Sequence, residues 1–212
     1  MIGFNELRSI TDHSIPEREM AGVRQFDEEQ ALDKALGLFW QQGYSKTTMQ
    51  ELAAMTGVQR GSLYNAYGDK ETLFLRVFDV YRQRYVEQMR QALDKADLRT
   101  ALRGFFTFAI RSMTTGMPTR GCLSTKTAVG TEALDEPIRS AIRGLLDEIE
   151  AALYARLTRA DAKDRLALEP RQAARIMVAM TRGLVVVERV YQDEKRMRAM
   201  ADQLIELVLR DE

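Results

Sequence analysis

The sequence predicts an all-α chain, and three observations carry that expectation. Residues 47–70, TTMQELAAMTGVQRGSLYNAYGDK, read as a short helix, a glycine-containing turn and a second short helix. Strand signals are sparse, because Val-rich runs such as Val185-Val186-Val187 sit inside longer stretches with helical spacing. Prolines at positions 16, 118, 137 and 170 act as helix punctuation. The expected architecture is an N-terminal three-helix helix-turn-helix unit over 24–70, followed by a larger helical body over 71–212. Residues 1–23 lack periodicity and are expected to be an unfolded leader, with Met20 a candidate natural start.

The elements follow in order. Asp27 is placed to cap the first helix with Gln30 at its third position, and Phe26 to staple against Ala31. Leu32, Ala35, Leu36, Phe39 and Trp40 recur at helical spacing, and Gly43 ends the run. Thr47 to Gln50 fit a capping box, a hydroxyl with a glutamine three positions later. Leu52, Ala53 and Met55 give the second helix an apolar side, and Gly57 is its expected stop. Val58 returns to the core, and a helix over 60–66 packs through Leu63 and Tyr67. Asp69 caps a longer helix over 70–92 with Leu73, Phe74, Val77, Phe78 and Tyr81 on its apolar side. Beyond it, helices are expected at 98–114, 122–132, 137–158, 170–191 and 195–209, with a loop at 116–121.

Two short helices joined by a turn of about 3–4 residues brace a DNA-reading helix across the major groove. In that frame Arg60 suits guanine O6/N7 and Asn65 suits adenine N6/N7, while Gly61 lets the backbone approach the groove. Gln59 could meet a base or a phosphate. Each also has a plain reading as a solvated residue on a short surface helix.

An ordered series of positions goes further: Phe39, Gly43-Tyr44-Ser45-Lys46-Thr47-Thr48, Leu52-Ala53, Gly57-Val58, the run Ser62-Leu63-Tyr64-Asn65-Ala66-Tyr67-Gly68-Asp69-Lys70, then Glu71 and Leu73. Over 24–78 this series resembles the TetR family of bacterial one-component transcriptional regulators. The resemblance implies double-stranded operator DNA as partner, a homodimer, a C-terminal ligand-binding and dimerisation domain, and release by a small-molecule effector. It places Thr47, Thr48, Ser62, Tyr64 and Lys70 on the DNA backbone, and makes the fourth helix the link from head to body. Many relatives carry a basic arm before the first helix; here only Arg24 remains.

Charge gives no support of its own. The formal net charge is zero, and residues 24–76 hold six basic and seven acidic side chains. A basic footprint is the usual mark of nucleic-acid binding. The motif therefore carries the DNA reading, with phosphate contacts expected from hydroxyls, backbone N–H groups and a few cations.

In the body, Cys122 stands at a predicted helix start near Arg120 and Lys126, where helix amides and cations lower a thiol's pKa. The Gly121-Cys122-Leu123 stretch also resembles one in an electrophile-sensing branch of the family. The alternative is a small buried apolar residue. Phe105, Phe108, Met113, Met117, Cys122, Lys126, Met177 and Met180 are candidate ligand-pocket residues, and Arg111, Lys126 and Arg182 could meet an anionic effector. Helical spacing also fits ordinary core at the apolar positions. Ile176, Met180, Leu184, Val187, Leu204 and Val208 are candidates for a dimer interface of the last two helices, with Arg175, Arg182, Glu188 and Arg189 on its rim or on the surface.

An enzyme is not expected. The one histidine, His13, lies in the leader, and no glycine-rich phosphate loop or metal-ligand cluster is seen, so neither cofactor nor metal is expected. One cysteine excludes an internal disulfide and fits a reducing cytoplasm. No apolar run approaches the length of about 20 residues that a membrane span needs. The reading is a ligand-responsive repressor. An activator or ligand-independent regulator, a redox or electrophile sensor acting through Cys122, and a helical interaction module without DNA function stay open as alternatives.

Overall fold

The computed structural model describes residues 26–116, 119–130 and 135–210. The leader, Arg24, His13 and Met117 lie outside the described residues. The helices are α1 (Glu28–Gln42), α2 (Met49–Thr56), α3 (Arg60–Tyr67), α4 (Lys70–Leu93), α5 (Leu98–Thr114), α6 (Leu123–Ala128), α7 (Glu136–Leu157), α8 (Pro170–Tyr191) and α9 (Glu194–Val208). No strand occurs among the described residues; an isolated bridge between Leu166 and Leu209 ties the end of α9 to the segment before α8.

Local chemistry accounts for the head. Asp27 accepts from the Gln30 N–H at 3.0 Å to start α1, and Gly43 stops it at φ +88, a conformation that disfavours a side chain. The capping box of α2 is one residue later than expected. Thr48, extended at φ −111, accepts from the Glu51 N–H, and the Glu51 carboxylate accepts from the Thr48 N–H at 2.9 Å. Thr47 cannot be the cap, because it is buried and donates its hydroxyl to the Gly43 carbonyl at 2.7 Å. Met55, expected in the core, is 46% exposed; Thr56 takes the buried position and bonds back to the Leu52 carbonyl.

One helix serves both parts of the molecule. The 24 residues of α4, a length of about 36 Å, put Leu73, Phe74, Val77 and Phe78 into the head and Tyr85, Val86, Met89 and Leu93 into the body. In the head, Phe39 meets Phe74 edge-on at 5.1 Å between ring centroids. Both rings are fully buried, so truncating either to alanine would cost about 3–5 kcal/mol.

In the body, α5 and α7 pack on α4, α8 packs on α5 and α7, and α9 packs on α5 and α8. Gly104 lets α5 approach α4 closely, since a Cβ there would stand 2.6 Å from the Ala92 carbonyl oxygen. Asp161 pairs at 2.7 Å with the buried Arg156, which also donates to the Lys95 carbonyl.

Three expectations for the body need correction. The short helix ends at Ala128 rather than 132, and Cys122 is its N-cap. Leu184, Leu204 and Val208 are buried inside the subunit, because helical phase turns them toward α5 and the body core. Glu188 is also buried rather than on a rim, with one carboxylate oxygen accepting from Thr119 and the other without a partner.

Candidate functional site

The first site is the surface of α3. Leu63 and Tyr67 anchor this helix inward, and Tyr67 donates to Glu28 on α1 at 3.4 Å. With those two fixed, Gln59, Arg60, Gly61, Tyr64 and Asn65 are exposed together, and Ser62 is half-buried. Arg60 and Tyr64 lie one turn apart. The guanidinium sits 5.4 Å from the ring centroid and donates to the phenol oxygen at 3.3 Å. The tyrosine therefore holds the arginine over the outer face of the helix and limits its rotamer freedom.

The proposed backbone contacts divide. Thr48 is exposed at the start of α2, where its hydroxyl is bonded to Glu51. Lys70 opens α4 and reaches back to the loop before α2, donating to the Tyr44 carbonyl at 3.2 Å with its ammonium 4.4 Å from the Tyr44 ring centroid. Thr47 is 1% exposed, so its side chain is not presented for a phosphate.

The acidic residues of the head are largely committed elsewhere. Asp27, Glu51 and Asp69 cap helices. Glu28 pairs with Arg76, and Glu29 and Asp33 pair with Arg84. Among the described contacts, none of these reaches a residue of the exposed α3 set. The near-neutral head therefore does not oppose an anion at α3 in proportion to its count of carboxylates.

The second site surrounds Cys122. Its sulfur is 3.4 Å from the Arg182 guanidinium on α8, 3.2 Å from the Ser124 hydroxyl and 4.0 Å from the Tyr81 hydroxyl. Burial pushes the thiol up, but the Arg182 charge and hydrogen bonds from Ser124 and Thr125 outweigh it and bring the pKa below the ordinary thiol value. Burial also holds Tyr81 well above its usual value and Tyr85 at about 12, so both phenols stay neutral near pH 7.

The cation responsible differs from the expected pair. Arg120 lies over the Trp40 ring at 3.9 Å, and Lys126 bonds to the Trp40, Gln41 and Arg120 carbonyls. Both face α1 rather than the sulfur. Arg182 is sixty positions from Cys122, and nothing local in the sequence links the two.

The apolar pocket candidates are mostly filled core. Phe105, Met113 and Met177 are buried, while Phe108 and Met180 are half-buried; Phe108 packs on Tyr85 at 4.9 Å between centroids. Of the dimer candidates, Ile176 is exposed and Met180 and Val187 are half-buried. Val186 (61%) and Val190 (68%) continue an exposed stripe that the sequence reading missed. The period of α8 from Ile176 through Ala179 and Gly183 could have identified it. Among the described residues no cluster of three metal-ligating side chains occurs, and no helix is long and apolar enough to cross a membrane.

Comparison with known proteins agrees with this geometry. A family model described as "Bacterial regulatory proteins, tetR family" matches residues 31–77, and one described as "Tetracyclin repressor-like, C-terminal domain" matches residues 99–204. The HTH-type transcriptional repressor ComR of Escherichia coli strain K12 is 34% identical over 99 residues, 46% of this chain and 47% of ComR, so the match spans about half of that relative. Reduced E. coli NemR superposes with a TM-score of 0.77 at 19% identity, covering 86% of this chain and 96% of NemR. A cysteine-substituted CifR bound to 26-base-pair operator DNA also superposes at 0.77, with 24% identity over 86% of this chain and 97% of CifR. At these identities the two structures speak to fold alone.

Proposed function

We propose that this chain, which belongs to the TetR family of bacterial transcriptional regulators, is a homodimeric repressor released from a (pseudo)palindromic operator by a small-molecule effector. Residues 24–70 read DNA, and 71–212 sense the effector and dimerise. The observation that carries the reading is the exposed Gln59–Asn65 face of α3, anchored from behind by Leu63 and Tyr67. Arg60 and Asn65 read bases. Thr48, Ser62, Tyr64 and Lys70 hold phosphates, with backbone N–H groups at the start of α3.

Two α3 helices must enter successive major grooves about 34–36 Å apart, which requires two subunits. The exposed α8 stripe from Ile176 to Val190, with small Ala179 and Gly183 between, supports helix pairing across a two-fold axis. An added Cβ at Gly183 meets nothing within 4 Å in the subunit, so the space there opens outward. Footprinting on the DNA upstream of the protein's own reading frame tests the function, and sedimentation of wild type and Val186→Glu tests the dimer. No protected site, or a monomer at micromolar concentration, would sink the reading.

A second reading names the sensor. The Cys122 sulfur beside Arg182 favours a thiolate that adds to an electrophilic carbon, whose displaced electron pair goes to the acceptor oxygen and takes up a solvent proton. The adduct would crowd Tyr81 and the neighbouring Gly121, both of which touch Trp40 on α1. DNA release by a quinone from wild type but not from Cys122→Ser is the expected result.

A further inference from the structure

We propose that the outer groove between α4 and α5 is a binding site for small amphipathic anions, separate from the Cys122 cluster. The groove has a volume of about 460 Å³, inside the range of about 300–1,000 Å³ typical of small-molecule sites. Its floor is formed where Gly104 brings the two helices together and where half-buried Phe108 packs on Tyr85. Lys95, Arg111 and Arg120 line it, and no carboxylate is among its lining residues.

That charge balance differs from that of four other arginines on α4 and α5. Arg82, Arg84, Arg99 and Arg103 on the same helices each pair with a carboxylate. Lys95 and Arg111 have no ion pair among the described contacts. Arg120 uses its guanidinium on the Trp40 ring and the Ser112 carbonyl, neither of which carries a counter-charge. Burial accordingly lowers the pKa of Arg120.

Three uncompensated cations around an apolar floor focus a positive potential into the groove. A neutral ligand would leave that potential in place, and a cationic one would add repulsion. A carboxylate or sulfonate matches the guanidinium fork, and an attached hydrocarbon would cover Phe108. Arg120 extends the site's reach, since an anion that pairs with it changes the charge lying on the Trp40 ring. Trp40 is the only tryptophan of the chain, so its emission reports occupancy directly.

The test is a titration of the full-length protein with octanoate and with octane-1-sulfonate, read by Trp40 fluorescence and by calorimetry. Both anions should give a saturable response that survives in Cys122→Ser. The Lys95→Glu/Arg111→Glu variant, altered only at exposed positions and checked by its thermal melt, should bind at least about tenfold more weakly. Octan-1-ol should give no saturable response. The proposal is overturned if neither anion binds, if octan-1-ol binds equally well, or if the double variant keeps wild-type affinity. None of these outcomes bears on operator recognition or on Cys122 chemistry, which the titration does not read.

Discussion

The indole N–H of Trp40, in the last turn of α1, donates to the carbonyl of Gly121 at 2.9 Å, and both residues are buried. This bond joins the head to the residue next to Cys122. The last turn of α1 has no basic residue of its own. Lys126 of α6 supplies the charge instead, bonding to the Trp40 and Gln41 carbonyls at the negative end of the helix. The head is thus tied to the body at α6 as well as through α4.

Trp40→Phe should lower stability by about 1–3 kcal/mol, because it leaves the buried Gly121 carbonyl without its donor. Lys126→Met should also destabilise, because it takes the charged donor from the Trp40 and Gln41 carbonyls at the end of α1. The two losses should be less than additive, as expected for groups acting on one helix end. Urea denaturation of both single variants and the double variant measures this, and strict additivity would show that the contacts act separately.

At α3 the paired geometry of Arg60 and Tyr64 separates specificity from affinity. Arg60→Ala should relax preference at one base pair of each half-site, costing about 1–3 kcal/mol there. Tyr64→Phe keeps the ring beneath the guanidinium but removes the oxygen that bonds Arg60 and is assigned to a phosphate, so it should weaken binding to all sequences and only slightly relax preference at that base pair. Lys70→Ala should weaken binding to all sequences and lower the salt slope by about one. Competition binding with single-base operator variants at several salt concentrations distinguishes them. Matching profiles for Arg60→Ala and Lys70→Ala would refute these roles.

Legibility in the sequence followed the range of the interaction. The boundaries of α1, α4 and α8 were legible because Asp27, Gly43, Asp69 and Pro170 act within a few positions of themselves. The α2 cap was misplaced by one because Thr47 and Thr48 have the same chemistry. Only the tertiary burial of Thr47 against Gly43 decides between them. The α3 surface could be read from a local motif. Cys122 could be singled out as well, but Arg182, Tyr81 and the Trp40 contact could not, since three separate helices bring them to it. Leu184, Leu204 and Val208 were assigned to the wrong apolar face because α8 and α9 each have one face buried within the subunit and apolar residues outside it.

Arg156 and Asp161 give a prediction about stability. Arg156 is 1% exposed and donates two bonds to Asp161, and its Nε has no partner. Asp161→Ala should cost about 3 kcal/mol, since it strands a buried charge. Arg156→Met should cost less, because it removes the charge along with its desolvation penalty and keeps an apolar stem in the same space. Paired thermal or urea melts check the order, and a larger loss for Arg156→Met would show that the ion pair stabilises the fold outright.

The last prediction concerns the pH dependence of Cys122. Arg182 is the nearest charge to its sulfur, and the neighbouring phenols of Tyr81 and Tyr85 remain neutral through the neutral range. The folded thiol pKa lies below its ordinary value, with the Arg182 charge among the groups that offset burial. Linkage fixes the sign: the ionised thiolate adds stability above the unfolded thiol pKa of about 8.5, and that gain is lost as pH falls through the folded pKa. Arg182→Met should reverse the shift, because burial then acts with less opposition. Alkylation of Cys122 by iodoacetamide at pH 7 should therefore be slower in Arg182→Met, and the rates should converge in alkaline solution where both thiols are ionised. Arg182→Lys should recover part of the neutral-pH rate, since it restores the charge without the guanidinium's fixed geometry. Mass-spectrometric alkylation rates across pH measure all three proteins. Rate profiles for wild type and Arg182→Met that coincide at every pH would remove Arg182 as the group that activates the thiol.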